Sequence, residues 1–148
     1  MRFISVFAFG FYYLFSFFLV EGGNTLAHHR GNVILPMVVR LQGEQILDNR
    51  AKAYVAMSQY EQAIGDLTPL AKEVRTAIGA ESKYLLADCQ YRLGHLDQAE
   101  AEVMSFAGMN TQQQYWLARA LVLLSDINMR RGDDFQARQY LLTLQANY

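Results

Sequence analysis

Cysteine occurs once in 148 residues, at Cys89. A single thiol cannot close a disulfide within the chain, and it cannot build a zinc site on two or four cysteines. Proline occurs only twice, beside ten glycines, which argues against a loop-rich all-β fold. An excess of charge is missing as well. Thirteen Lys and Arg stand against fourteen Asp and Glu, for a net charge of −1. The broad positive field on which nucleic-acid binders rely is therefore absent. The chain holds no phosphate-binding glycine loop and no His-x-x-x-His or Glu-x-x-His pair, so the common routes to nucleotide or metal chemistry are not written in it. What is present is apolar: 52% hydrophobic and 18% charged residues, the balance of one folded domain with a real core rather than of a disordered or collagen-like chain.

The apolar residues are unevenly spread. After Arg2, residues 3–20 (FISVFAFGFYYLFSFFLV) carry no charge. A helix of that length reaches roughly 27 Å, the lower limit for crossing a bilayer core. One positive residue before such a run is the layout of a secretory signal or signal anchor. Residues 1–22 are accordingly expected to be a signal peptide or membrane anchor, with membrane contact through residues 3–20; a buried first helix is the competing reading. Residues 23–39 are expected to be a linker, because Gly22, Gly23, Asn24 and Gly31 break regular structure. His28 and His29 are adjacent, so their side chains diverge, and they read as solvated groups rather than metal ligands.

From Arg40 onward the pattern is helical, and residues 40–148 repeat. Three segments align: LDNRAKAYVAMSQYEQAIGDL (47–67), KYLLADCQYRLGHLDQAEAEV (83–103) and LVLLSDINMRRGDDFQARQYL (121–141). Ala63, Ala99 and Ala137 fall in register. Twelve places earlier stand Ala51, Ala87 and Ser125, and between them Ser58, Gly94 and Gly132. The physics is that of two helices and a tight turn. A glycine enters the left-handed conformation that ends a helix without a Cβ clash, and small residues at fixed places let two helix axes approach. Leu47, Tyr54, Leu67, Leu86, Leu93, Val103, Leu121, Leu124, Ile127 and Leu141 are expected to fill the space between. A single hairpin cannot bury its own apolar face, so stacked neighbours must share one core.

These residues resemble the tetratricopeptide repeat. The second unit is the nearest, with Leu86, Ala87, Leu93, Gly94, Asp97 and Ala99 at the family's positions; the third follows with Leu124, Ser125, Gly132, Asp133 and Ala137; the first has Ala51, Tyr54, Tyr60 and Ala63 but no glycine. Arg75 and Thr111 replace the family's closing proline. The stretch NTQQQYWLARALVLLSDINMRRGDDFQARQYL is similar to the last repeats of long bacterial envelope proteins of this type. The resemblance implies an all-α solenoid of about three hairpins, over residues 44–76, 80–110 and 114–148, preceded by an N-terminal hydrophobic helix. It also implies a location in the cell envelope, in the periplasm or anchored to a membrane; a cytoplasmic product is the alternative.

Three irregular places stand out. Pro69 must kink the second helix of the first unit, or else sit at the first position of a new turn capped by Thr68. The residues after it, EVRTAIG, read as a partly extended connection, with the next helix starting near Ala80. Thr111 is expected to cap the third unit, with Gln114 as its reciprocal partner.

Groups able to do chemistry are few. Cys89 reads as a small buried thiol, His95 as a solvated turn residue, and Asp133 and Asp134 as carboxylates opening a helix. No catalytic residue, cofactor or metal site is expected, and function is expected in a surface. The resemblance implies that the first helix of each unit lines an inner concave face. The matching positions are Tyr84, Asp88, Tyr91 and Arg92 in the second unit, and Arg119, Val122, Asp126, Met129 and Arg130 in the third. Tyr and Arg at such places are the residue types that anchor interfaces. Tyr115 and Trp116 are expected to staple the third unit to the second. The expected role is a non-enzymatic scaffold binding a peptide or partner protein. The alternative is an end piece of a larger assembly, docking or forming homo-oligomers through its last helix.

Overall fold

A computed structural model describes residues 25–147, with side chains from residue 34 to residue 146. The segment 1–22 and the side chains of His28 and His29 lie outside the described residues. Regular structure among the described residues is entirely helical: α1 (Thr25–Ala56), α2 (Tyr60–Leu70), α3 (Ala77–Arg92), α4 (Leu96–Gly108), α5 (Gln114–Arg131) and α6 (Asp134–Asn147). The chain divides into two compact units, Met1–Gln42 and Gly43–Tyr148, with the boundary inside α1. None of the described helices is long and apolar enough to cross a membrane.

In the first unit, residues 25–42 are helical, including the stretch 25–39 expected as a linker. Gly31 and Pro36 lie within α1 without ending it. The second unit holds the aligned segments. α2 packs on α3, α3 on α4, α4 on α5 and α5 on α6, and α3 also packs on α5. The residues brought into register by the alignment are the ones that disappear from solvent. Ala51, Ala63, Ala87 and Ala99 are fully buried, and Ala137 and Ser125 nearly so. Ser125 also donates its hydroxyl hydrogen to the carbonyl of Ala137, 3.1 Å away, so the polar member of the small-residue set is satisfied inside the core.

The turns keep the same register. Gly94 and Gly132 have φ of +82° and +83°, and Ser58, which stands where the first unit lacks glycine, has φ of +58°. After each of these residues the chain reverses into the next helix. Asp133 accepts a hydrogen bond from the Gln136 amide at 3.0 Å, the carboxylate role expected of it at the opening of α6.

Two apolar clusters fill the second unit. One gathers Ala51, Ala63, Leu67, Ala71, Leu86 and Cys89 from α1 to α3. The other gathers Ala80, Ala87, Ala99, Val103, Phe106, Ala120, Leu123, Leu124 and Ile127, with Val74 from the turn before α3. α3 contributes to both, which is why its apolar residues do not fall on one stripe. Leu141, expected as a core filler, is 44% exposed on α6 instead.

The irregular places follow the expectations only in part. α2 runs through Thr68 and Pro69 to Leu70, and Thr68 donates back to the Ile64 carbonyl rather than capping a new turn. Residues 71–76 are mostly turns, with Thr76 extended as the cap, and α3 begins at Ala77 rather than near Ala80. Thr76 caps it, its hydroxyl oxygen accepting from the Gly79 amide at 3.0 Å. Gly79 is there for space: a Cβ on it would lie 2.0 Å from the Glu73 carbonyl oxygen. Thr111 does not cap α5. It is buried, donates to the Val74 carbonyl at 2.6 Å, and accepts from the Gln113 amide at 3.0 Å. Gln114 reaches back to the Thr111 carbonyl instead of its amide. The turn before α3 and the turn before α5 are thereby tied together.

Candidate functional site

The residues expected to face a partner divide between two adjacent helices: Tyr84, Asp88, Tyr91 and Arg92 on α3, and Arg119, Val122, Asp126, Met129 and Arg130 on α5. Steps of three and four place each set on one stripe of its helix. The packing of α3 on α5 brings the two stripes into contact.

The contact is made of arginines lying on aromatic rings. The Arg119 guanidinium carbon is 4.6 Å from the ring centroid of Tyr84, 5.4 Å from Trp116 and 5.8 Å from Tyr115. Its nitrogens donate to the Tyr84 hydroxyl at 3.1 Å and the Tyr115 hydroxyl at 3.4 Å. Trp116 stacks on Tyr84 at 5.7 Å, and Tyr115 meets Trp116 edge-on at 4.9 Å. Lower on the same helices, Arg130 lies 5.2 Å from the centroid of Tyr91 and donates to the Tyr91 carbonyl at 3.2 Å. The pattern recurs one hairpin earlier, where Arg92 lies 5.7 Å from the ring of Tyr60 on α2. In each case an arginine of one hairpin covers a tyrosine of the hairpin before it. The ring faces attract the cation, and the planar guanidinium carries further N–H donors.

The charged residues of this face are mostly spoken for. Asp88 is nearly buried and accepts from Arg92 at 2.7 Å; that hydrogen bond holds the Arg92 guanidinium above its ordinary pKa. Burial raises the Tyr84 phenol above its usual value, with the Asp88 charge adding and the Arg119 charge opposing. Burial, and then the Asp88 charge, push the Cys89 thiol up to about 11. Cys89 is a fully buried member of the first cluster, and a thiol so placed is a poor nucleophile.

What remains open are Val122 and Met129, 45% and 50% exposed, with half-buried Asp126 between them. Arg119 and Arg130 flank this strip. It offers two apolar contacts, a carboxylate and two ring-braced guanidiniums on an open surface, a composition suited to recognising an extended chain or a helix.

Of the two residues expected to staple the third unit to the second, Trp116 makes that contact through Tyr84. Tyr115 is 65% exposed and touches Trp116 and Arg119 of its own helix. Residues given no role by the sequence also tie hairpins together. Arg131 pairs with Asp97 and Glu100 on α4. Lys52 on α1 bridges Asp48 and Glu81, 2.9 Å from each. Burial works against the Lys52 ammonium, but the hydrogen bonds to Glu81 and Asp48 outweigh it and hold its pKa above the ordinary value. The signal for Lys52 was available, since it is the register equivalent of Asp88 and Asp126 in the aligned segments. His95 is exposed, with Nδ1 2.9 Å from Oε1 of Gln90. Among the described residues no group of three or more His, Cys, Asp or Glu is placed to hold a metal.

No family model, curated protein or solved structure matches this chain.

Proposed function

We propose that the second unit is a tetratricopeptide-like solenoid of three helical hairpins, α1–α2, α3–α4 and α5–α6, and that it works without catalysis by binding a peptide or partner protein. The α5 strip of Val122, Asp126 and Met129, between the ring-braced Arg119 and Arg130, is its recognition surface, on the concave side. The observation that carries the reading is the recurrent order of the hairpins: register-matched small residues are buried, register-matched turns are left-handed, and arginines of one hairpin cover tyrosines of the last. The place of action is the bacterial cell envelope, on the strength of the apolar run at residues 3–20 and the resemblance of the third unit.

The test is capture of partners from an envelope fraction by the full chain and by a Val122→Glu, Met129→Glu variant. Both positions are half open to solvent, so the variant keeps its helical content and melting temperature and loses the captured protein. An unchanged set of partners defeats the reading. Substitutions at Tyr91 or Arg92 would answer less cleanly, because both side chains hold hairpins together.

A second reading has its own support. Phe135 is 72% exposed on α6, with Leu141 and Leu142 also open, an apolar outer face of the kind that docks or dimerises. The chain is then an end piece of a larger assembly. Sedimentation at micromolar concentration decides: a monomer that stays soluble argues against it.

A further inference from the structure

We propose that residues 34–41 of α1 contact an anionic lipid surface, a role independent of the partner-binding strip. Ile34, Leu35, Met37, Val38, Val39 and Leu41 are each between 42% and 64% exposed. At about 100° per residue these six sweep roughly 200° of the helix circumference. A helix that covers its own domain's core shows a narrower stripe, about 100° wide. This stretch is apolar on most of its circumference and open on all of it.

Two features favour lipid over a second helix. The apolar arc of roughly 200° is far wider than the narrow seam through which two helices pair. The charge also fits. Residues 25–42 carry Arg30 and Arg40 and no Asp or Glu, a formal +2, whereas residues 43–148 carry ten Lys and Arg against thirteen Asp and Glu, a formal −3. A net positive charge therefore lies beside a run of exposed apolar residues, in a chain that is otherwise net negative. That pairing draws a segment to anionic headgroups and then into the acyl boundary. Eight helical residues rise about 12 Å, against a hydrocarbon core of about 30 Å. The segment enters one leaflet and does not cross.

The full chain tests this. Leu35→Cys, Val39→Cys and, as control, Met104→Cys on α4 are each made with Cys89→Ala and labelled with a polarity-sensitive dye. They are mixed with vesicles of equimolar phosphatidylcholine and phosphatidylglycerol. The expected result is a blue shift at 35 and 39, quenched by spin-labelled lipid, weakened by salt and by pure phosphatidylcholine, with no shift at 104. Water-like emission at 35 and 39 while vesicles are bound overturns the proposal, as does failure to bind vesicles. A blue shift without lipid, accompanied by a dimer in sedimentation, assigns the surface to helix pairing and also overturns it. Amide hydrogen exchange of residues 34–41 in the unsubstituted chain, with and without vesicles, gives the same decision without the substitutions: protection by anionic vesicles is expected, and unchanged exchange contradicts the proposal. Neither result depends on whether Val122 and Met129 bind a partner.

Discussion

The guanidinium of Arg119 lies over the ring of Tyr84, 4.6 Å from its centroid, and donates to its hydroxyl. One residue opens the third hairpin and the other the second. Their contact ties two successive hairpins together at one end of the open strip of α5.

The coupling between these two side chains is measurable. Arg119→Ala and Tyr84→Leu, singly and together, form a cycle in urea unfolding, since leucine removes both the ring and the hydroxyl. A cation held on a ring at an exposed site is worth about 0.5–1 kcal/mol, and the lost hydroxyl acceptor adds to it. An additive cycle would mean that the hairpins meet without help from this pair.

The small residues make a sharper demand. Ala99 is fully buried between helices whereas Ala101, two residues on, is exposed. Ala99→Leu should cost about 1–3 kcal/mol by forcing α4 away from its neighbours, and Ala101→Leu should change stability by less than about 0.5 kcal/mol. Thermal unfolding of the two variants checks the difference.

Much of this was legible in the residues, and for a physical reason. A recurring alanine or glycine reports a backbone constraint, and backbone constraints repeat with the fold: Ala63, Ala99, Ala137, Gly94 and Gly132 all sit where their spacing put them. Single hydrogen bonds between turns have no such period. Thr111 looked like a helix cap because Thr followed three residues later by Gln is a capping pattern. Its real partner, the Val74 carbonyl, is far away in sequence, and only packing brings it near. The early start of α3 has a similar cause: Gly79 lies inside the helix, packed so closely on the Glu73 carbonyl that no Cβ would fit. The strip on α5 was legible as residue types at helical spacing. The engagement of Tyr84, Tyr91 and Asp88 within the fold was not, since nothing local shows which ring an arginine will cover.

Gly79 sets propensity against sterics. Alanine is favoured over glycine inside a helix by about 1 kcal/mol, but at this position its Cβ would meet a carbonyl oxygen at 2.0 Å. Gly79→Ala should therefore destabilise the protein. Gly65→Ala in α2, with nothing within 4 Å of the added carbon, should gain up to about 1 kcal/mol. Opposite signs in parallel urea titrations are the expected outcome.

Ser58 offers a gain. Its left-handed backbone costs a side-chain-bearing residue about 1–2 kcal/mol, and glycine relieves most of that. Ser58→Gly should raise the melting temperature, whereas Gly94→Ala, at φ of +82°, should lower it. Changes of the same sign would show that the turns of the first and second hairpins are not equivalent.

Site-directed photo-crosslinking reaches the recognition surface itself. A benzophenone side chain is placed at Met129 on the α5 strip, or at Met104 on α4, each half exposed, and irradiated in an envelope fraction. Adducts to a single protein from position 129 and none from position 104 are what the hairpin account requires. Equal adducts from both positions, or adducts from 104 alone, would contradict it.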